Sequence, residues 1–234
     1  MSTERDLSLS PRRENTRELQ PATTVVHFTL QQIKERFDES YRQLVGEYSV
    51  ADSLLSAGKT EECKDIWRSQ VVFFESIFDF FIHEISKYSL YSMFSGNWEK
   101  SEKYDSLFVP LKKVETALES PDSKEWFFEF INSKFEREVF LSAKSMADQL
   151  NLIGLPFTTV MHRAFAKENE ELSRKYGVKI VSDIFSRRNA IAHQNDRSHD
   201  SGVRNDISKD YVEEIATNIQ TIVQAIFNLA TEME

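Results

Sequence analysis

The segment YVEEIATNIQTIVQAIFNLATEM, residues 211–233, decides the fold class of this chain. Seven apolar side chains recur in it at alternating spacings of three and four: Val212, Ile215, Ile219, Ile222, Ile226, Leu229 and Met233. Because this repeat puts every apolar side chain on one stripe of a helix, it predicts packing along another long helix. Ser208 or Asp210 can cap the start of this helix. The sequence therefore predicts a long helix within a bundle.

The rest of the chain has the same helical character. With only 6 Gly and 5 Pro in 234 residues, long helices are favoured, and no segment is typical of a strand. Apolar spacing predicts one amphipathic helix from Val25 to a stop at Gly58, and a second helix from about Glu61. The second helix has a wide apolar face, which predicts contacts with several neighbours: Ile66, Phe73, Ile77, Phe80, Phe81 and Ile85. We predict an all-α helical bundle.

Composition predicts one helical domain with an extension. Residues 1–23 are polar and mixed in charge, which predicts a flexible tail, with a partner-binding arm as the alternative; residues 24–234 form the domain. The net charge of −9 argues against a large basic surface for nucleic acid, although a small basic cleft remains compatible. A single cysteine, Cys63, excludes an internal disulfide. No signal peptide or membrane-spanning segment is apparent, so we expect a cytoplasmic protein without membrane contact.

Residues 188–193, Arg-Asn-Ala-Ile-Ala-His, place polar groups in an apolar helical pattern. Val181, Ile184 and Ile191 mark the buried stripe, and Arg188 falls on the same stripe. A charge there is costly unless it is paired or opens to a cleft. Two interpretations stay open: an arginine paired with a buried Asp or Glu or extending to the edge of the bundle, and an arginine that serves a cleft or subunit interface.

Asn189 and His193 are four residues apart, so they share a helical face. If the helix continues, His193 lies about 140° around the axis from Arg188. The polar residues that follow predict that the helix ends just after His193. A histidine at that position is suited either to stabilising the helix C-terminus or to acid–base chemistry near neutral pH.

The arrangement of Arg188, Asn189 and His193 resembles the motif of the HEPN superfamily, an Arg and a polar residue followed by His four to six residues after the Arg. Its position before a polar loop and a long Ile-rich helix is most similar to the RiboL-PSP-like branch. The resemblance covers residues 25–232 in architecture and is most specific in residues 181–229. It implies a HEPN-like helical bundle, in which the flexible tail and the additional helices near residues 96–123 have no family counterpart.

The resemblance also implies a chemistry. HEPN ribonucleases cleave RNA without a metal, using the neighbouring 2′-hydroxyl as nucleophile and leaving a 2′,3′-cyclic phosphate. His193 would be the catalytic histidine, Arg188 would bind the scissile phosphate, and Asn189 would orient His193 or contact the phosphate. The family builds a composite active site from two motifs in a homodimer. Such proteins act as toxins or anti-phage effectors, so an antitoxin or sensor protein is a possible partner.

Basic residues around the motif are candidates for RNA contacts, although an ordinary solvated loop is the alternative: Arg187, Arg197, Arg204 and Lys209. The histidines lack metal-ligand spacing, and no Gly-rich phosphate loop is present, so we predict neither a metal nor a cofactor. Three functions are therefore compared: a HEPN ribonuclease, a non-catalytic HEPN module that binds RNA or a partner protein, and a helical scaffold with a chance motif.

Overall fold

The computed structural model describes residues 26–198 and 200–234, and it confirms the all-α class. Within these ranges nine α-helices and a short 3₁₀ turn at Tyr104–Ser106 follow one another: α1 (Leu30–Gly46), α2 (Tyr48–Ser56), α3 (Thr60–Ser95), α4 (Leu111–Glu119), α5 (Glu125–Phe135), α6 (Ala143–Leu152), α7 (Phe157–Phe165), α8 (Glu170–Gln194) and α9 (Lys209–Thr231). The described residues contain no β-strand, only an isolated bridge between Arg197 and Arg204. The predicted tail of residues 1–23 lies outside the described residues.

Helix α3 is the central element of the bundle. It has 36 residues, which at 1.5 Å per residue gives a length of about 54 Å. It packs against α1, α2, α5, α8 and α9. Phe74, Phe81, Ile82 and Ile85 are fully buried on its inner side. The motif helix α8 therefore packs directly on the central helix of the fold.

Helix α9 has the packing that its seven-residue period predicts. Ile219, Ile222 and Ile226 are fully buried, and α9 contacts α3 and α7 along its length. The Ser208 side chain caps its start by accepting a hydrogen bond from the backbone N–H of Tyr211. The prediction of a long packed helix after the motif is confirmed.

The predicted single helix from Val25 to Gly58 is two helices. Helix α1 ends at Gly46 and α2 begins at Tyr48. Glu47 is both the C-cap of α1 and the N-cap of α2. The Glu47 carboxylate accepts a hydrogen bond from Gln70 on α3. Because apolar side chains keep facing α3 on both sides of the break, periodicity alone does not indicate it.

The wide apolar face predicted for α3 is only partly buried. Phe81 and Ile85 lie in the core, but Phe73 is 49% exposed and Phe80 is 44% exposed. Phe73 borders a groove that Ile191 of α8 also lines, and Phe80 borders a groove that Asn132 and Phe135 of α5 line. The prediction that this entire face contacts neighbouring helices was wrong for Phe73 and Phe80. In the described part of the chain, no helix is both long and apolar enough to cross a bilayer.

Candidate functional site

The motif occupies the last two turns of α8. This helix begins with the Asn169 side chain accepting a hydrogen bond from the N–H of Leu172. Gly177 allows close packing on α7, because a Cβ atom there would lie 2.3 Å from the Met161 sulfur. The helix ends at Gln194, one residue after His193, as predicted. The motif is therefore at the C-terminal end of a helix that is tightly packed at its middle.

Arg188 lies on the apolar stripe of α8 and contacts a buried acidic residue of α3. Its Nε lies 3.3 Å from Oε2 of Glu75 on α3, whose side chain is only 2% exposed. No hydrogen bond joins these two atoms, so the contact is an ion pair with imperfect alignment. Arg188 also donates from Nη1 to Oδ1 of Asn189 at 3.1 Å. Its side chain is 27% exposed, although its Nε is buried.

The Glu75 carboxyl is poised to change its charge near neutral pH. Burial raises the pKa of Glu75 to about 7, although the charge of Arg188 opposes the shift and that of Asp79 adds to it. Burial also raises the pKa of Asp79, against the lowering effects of His83 and of a hydrogen bond from the backbone N–H of Phe140. Two acidic side chains one helical turn apart thus lie beside the motif arginine.

Sequence analysis missed Glu75 and Asp79. Both lie in the Phe-rich run of α3, four residues apart, so they share a helical face. Two carboxylates within such an apolar run are themselves a signal, because burial of an acid requires a partner. The identity of the partner, Arg188, depends on how α3 packs on α8.

His193 lies at the exposed end of α8 and is surrounded by solvent. Within the described chain, no hydrogen bond links it to Asn189, whose side-chain oxygen instead accepts from Arg188. Because α8 continues through Gln194, His193 lies about 140° around the helix axis from Arg188 and about 7.5 Å along it.

A buried ionic cluster fixes the chain just after the motif. Asp196 is fully buried, and its Oδ2 accepts hydrogen bonds from Nε of Arg68 and Nη2 of Arg187, both at 2.9 Å. Asn205 donates to Oδ1 of Asp196 at 3.2 Å, and Arg187 also donates to the backbone carbonyl of Asp206. Arg187, a predicted RNA contact, thus forms part of an internal cluster.

The other predicted RNA contacts also have internal partners. Arg204 lies 2.7 Å from the carboxylate of Asp65, and Lys209 lies 2.7 Å from that of Asp52. Arg197 is exposed and donates to a backbone carbonyl of its own loop at 2.6 Å. RNA binding by these side chains stays a prediction, since an RNA phosphate would compete with a carboxylate for Arg204 and Lys209.

Among residues 26–198 and 200–234, no group of three His, Cys, Asp or Glu side chains is arranged to hold a metal ion. Arg188 is suited to binding an anionic oxygen, and His193 is suited to exchanging a proton with a hydroxyl group.

A family model described as RiboL-PSP-HEPN matches residues 28–232, which include all nine described helices and the motif. Searches of curated proteins and of solved structures returned no match. The match covers far more than half of the chain, so the protein belongs to the RiboL-PSP-HEPN family.

Proposed function

We propose that this protein is a metal-independent endoribonuclease. HEPN domains bind RNA and are often ribonucleases, which gives the general class. The observation that carries the proposal is that a partly exposed Arg188 and an exposed His193 lie near one end of α8, in a family whose members often cleave RNA. Attack by a 2′-hydroxyl on the adjacent phosphate would release a 5′-hydroxyl and leave a 2′,3′-cyclic phosphate.

The side chains have complementary tasks in this reaction. His193 accepts the proton of the 2′-hydroxyl, since an imidazole exchanges protons near neutral pH. Arg188 donates to the non-bridging oxygens as negative charge grows on them. Nη2 of Arg188 makes no hydrogen bond to any described residue, so it remains available to a phosphate oxygen. Asn189, which accepts a hydrogen bond from Arg188, fixes the direction of the guanidinium.

One chain supplies one motif histidine, whereas the reaction uses both a base and an acid. HEPN domains often dimerise. We propose a homodimer in which His193 of a second copy protonates the departing 5′-oxygen, completing a composite active site. The exposure of Ala192 and His193 at the end of α8 supports this arrangement, because no described part of the same chain covers them.

A non-catalytic module that binds RNA or a partner protein is the second candidate. It is favoured by the pairing of Arg188 with Glu75 and by the internal partners of Arg204 and Lys209. The first candidate fits a cytoplasmic toxin or anti-phage effector controlled by an antitoxin or sensor protein. The non-catalytic module fits a protein subunit in which the motif residues only stabilise the packing of α8 on α3.

Cleavage of labelled RNA in EDTA separates the two candidates. We expect wild-type protein to cleave the RNA. We expect His193→Ala to lose at least about 100-fold in rate, the usual contribution of acid–base catalysis, and Arg188→Ala to lose about as much, the usual contribution of a group that stabilises developing charge. Arg174→Ala is the matched control, because it removes an exposed arginine of the same helix about 21 Å away along the axis. RNA that binds but is never cut would support the non-catalytic module instead.

A growth assay tests the proposed toxin role, and light scattering tests the proposed composite active site. If the protein is a toxin, cells that express wild type should grow more slowly than cells that express His193→Ala at equal protein levels. Equal growth of both strains would contradict a toxin role. A purely monomeric protein that still cleaves RNA at micromolar concentration would contradict the composite active site.

A further inference from the structure

Glu75 is a buried acid whose counter-charge is also the group proposed to bind phosphate. Its side chain is 2% exposed, and among the described residues Arg188 is the only cation within ion-pair distance of it. Arg188 approaches Oε2 of Glu75 with its Nε, at 3.3 Å. An RNA phosphate would bind the same guanidinium group. Arg188 would therefore have two anionic partners once RNA is bound.

The guanidinium group of Arg188 can contact both partners at once. Its Nε is buried at the contact with Glu75, and its Nη1 donates to Oδ1 of Asn189 at 3.1 Å. Its Nη2 makes no hydrogen bond to a described residue, and the side chain is 27% exposed. Because the three nitrogens belong to one small planar group, a phosphate at Nη2 would lie close to the Glu75 carboxyl. Phosphate binding thus adds a second negative charge beside Glu75 without breaking its contact with Arg188.

A second anion disfavours the charged form of Glu75. Two negative charges at one site raise the pKa of the carboxyl that can take up a proton. Solvent screens this repulsion weakly, because the Glu75 side chain is buried. Its Oε2 also has no hydrogen-bond donor among the described residues that would stabilise the charged form. Protonation of Glu75 removes the repulsion and leaves the full charge of Arg188 to the phosphate.

The other charges around Glu75 favour the same response. Within the described chain, Glu75 is influenced by Arg188 from α8 and by Asp79, one turn away on α3, whereas α1, α2, α5 and α9, which also pack on α3, contribute no charge. Asp79 lies 3.8 Å from Nε2 of His83 and accepts a hydrogen bond from the backbone N–H of Phe140. Because burial raises the pKa of Glu75 to about 7, this carboxyl is about half ionised at pH 7 before RNA binds.

We propose that binding of an RNA phosphate to Arg188 is coupled to the uptake of a proton by Glu75. The proton comes from solvent and returns to it when the RNA leaves. The proposal rests on the proposed function for the position of the phosphate, but not for cleavage. Because the proton and the phosphate favour each other's binding, the affinity for RNA increases as the pH falls through neutrality. Glu75 thus sets the pH range in which the motif binds RNA.

Titration calorimetry measures this proton directly. The probe is a 2′-O-methyl octanucleotide, whose blocked hydroxyl prevents cleavage, and the protein is full-length His193→Ala, which lacks the motif imidazole. Heats measured at pH 7 in buffers of different ionisation enthalpy give the number of protons taken up. We expect Glu75→Gln, added to His193→Ala, to lower this number by about half a proton, the ionised fraction of Glu75 before binding. Glu62→Gln is the matched control, because Glu62 is an exposed acid of the same helix about 20 Å away.

The pH dependence of affinity separates proton coupling from a purely structural role of Glu75. We expect His193→Ala to bind the rhodamine-labelled octanucleotide about five- to tenfold more weakly at pH 8 than at pH 6, measured by anisotropy. Adding Glu75→Gln should remove most of this difference, whereas loss of a structural contact would change the affinity equally at both pH values. Adding Asp79→Asn should shift the dependence to lower pH, because the charge of Asp79 adds to the raised pKa of Glu75.

The outcomes distinguish this coupling from the ribonuclease activity. The same proton uptake with and without Glu75→Gln would overturn the proposal. Uptake that Asp79→Asn abolishes and Glu75→Gln leaves intact would overturn it in favour of Asp79. An octanucleotide that does not bind would also overturn it, although cleavage of unmodified RNA by wild type would still support the ribonuclease. Uptake that depends on Glu75, without cleavage of unmodified RNA, would support the coupling and contradict the ribonuclease.

Discussion

Replacing Asp196 with asparagine should destabilise the protein strongly, although the change keeps the size of the side chain. Asp196 is fully buried and accepts hydrogen bonds from both Arg68 and Arg187 at 2.9 Å. The amide of the Asp196→Asn variant would retain one side-chain oxygen but would present an NH₂ group to donors. The backbone φ of 57° at this position is not a confounding factor, since asparagine adopts this left-handed conformation readily. The loss of folding stability in Asp196→Asn would therefore measure the contribution of the ionic cluster.

The size of the effect follows from the burial of the partners. Arg68 has a side chain only 5% exposed, so it cannot recover its hydration when the carboxylate is removed. Removing one partner of a buried ion pair costs about 3–5 kcal/mol. For a domain of this size, each kcal/mol shifts the melting temperature by about 2–4 °C, so a loss of about 4 kcal/mol predicts a decrease of about 8–16 °C.

Thermal and urea unfolding, followed by circular dichroism, measure this loss. Asp200→Asn is the matched control, because Asp200 is an exposed aspartate of the same loop, and we expect a change within about 0.5 kcal/mol. The urea slope should be unchanged, so that the midpoint shift reports stability alone. A loss below about 1 kcal/mol for Asp196→Asn would refute the argument that this cluster anchors the end of α8.

Glu75→Gln and Gly177→Ala each test one contact between α8 and a neighbouring helix. Burial raises the pKa of Glu75 to about 7 from 4.5, so folded protein binds a proton that unfolded protein releases, and stability should decrease as pH rises from about 4.5 past 7. Glu75→Gln should reduce the difference in unfolding free energy between pH 5 and pH 8 by about 2–3 kcal/mol, measured by urea unfolding at both pH values. An unchanged difference would contradict the raised pKa of Glu75. Gly177→Ala should destabilise by about 1–3 kcal/mol, because its Cβ would overlap the Met161 side chain. Adding Met161→Ala should abolish most of the extra cost of Gly177→Ala in a double-mutant cycle, and full additivity would argue against direct contact.

The fold was largely predictable because its determinants are local. The three-and-four spacing of Ile219, Ile222 and Ile226 sets the buried face of α9 whatever it packs against. The same argument failed for Phe73 and Phe80, since periodicity assigns side chains to a face but does not say whether another helix covers it. The break at Glu47 was missed because both halves of the helix pair present their apolar sides to the same neighbour.

The candidate site was predictable in its motif and not in its partners. Spacing identified Arg188 and His193, and it predicted that Arg188 needs a buried acid or an opening to solvent. It did not identify Glu75, because the two residues are 113 positions apart and meet only when α3 packs on α8. The hydrogen bond between Arg68 and Asp196 spans 128 positions, and it turns the predicted RNA contact Arg187 into part of an internal cluster.

The two long-range ion pairs explain how the fold fixes the position of the motif. Arg68 and Glu75 lie two turns apart on α3 and pair with Asp196 and Arg188, respectively, so α3 and α8 run antiparallel here. The signs of the charges are opposite in the two pairs. A displacement of α8 by two turns along α3 would bring Arg68 towards Arg188, and like charges at that contact are unfavourable. The register that places Arg188 beside Glu75 is therefore specified by charge as well as by apolar packing.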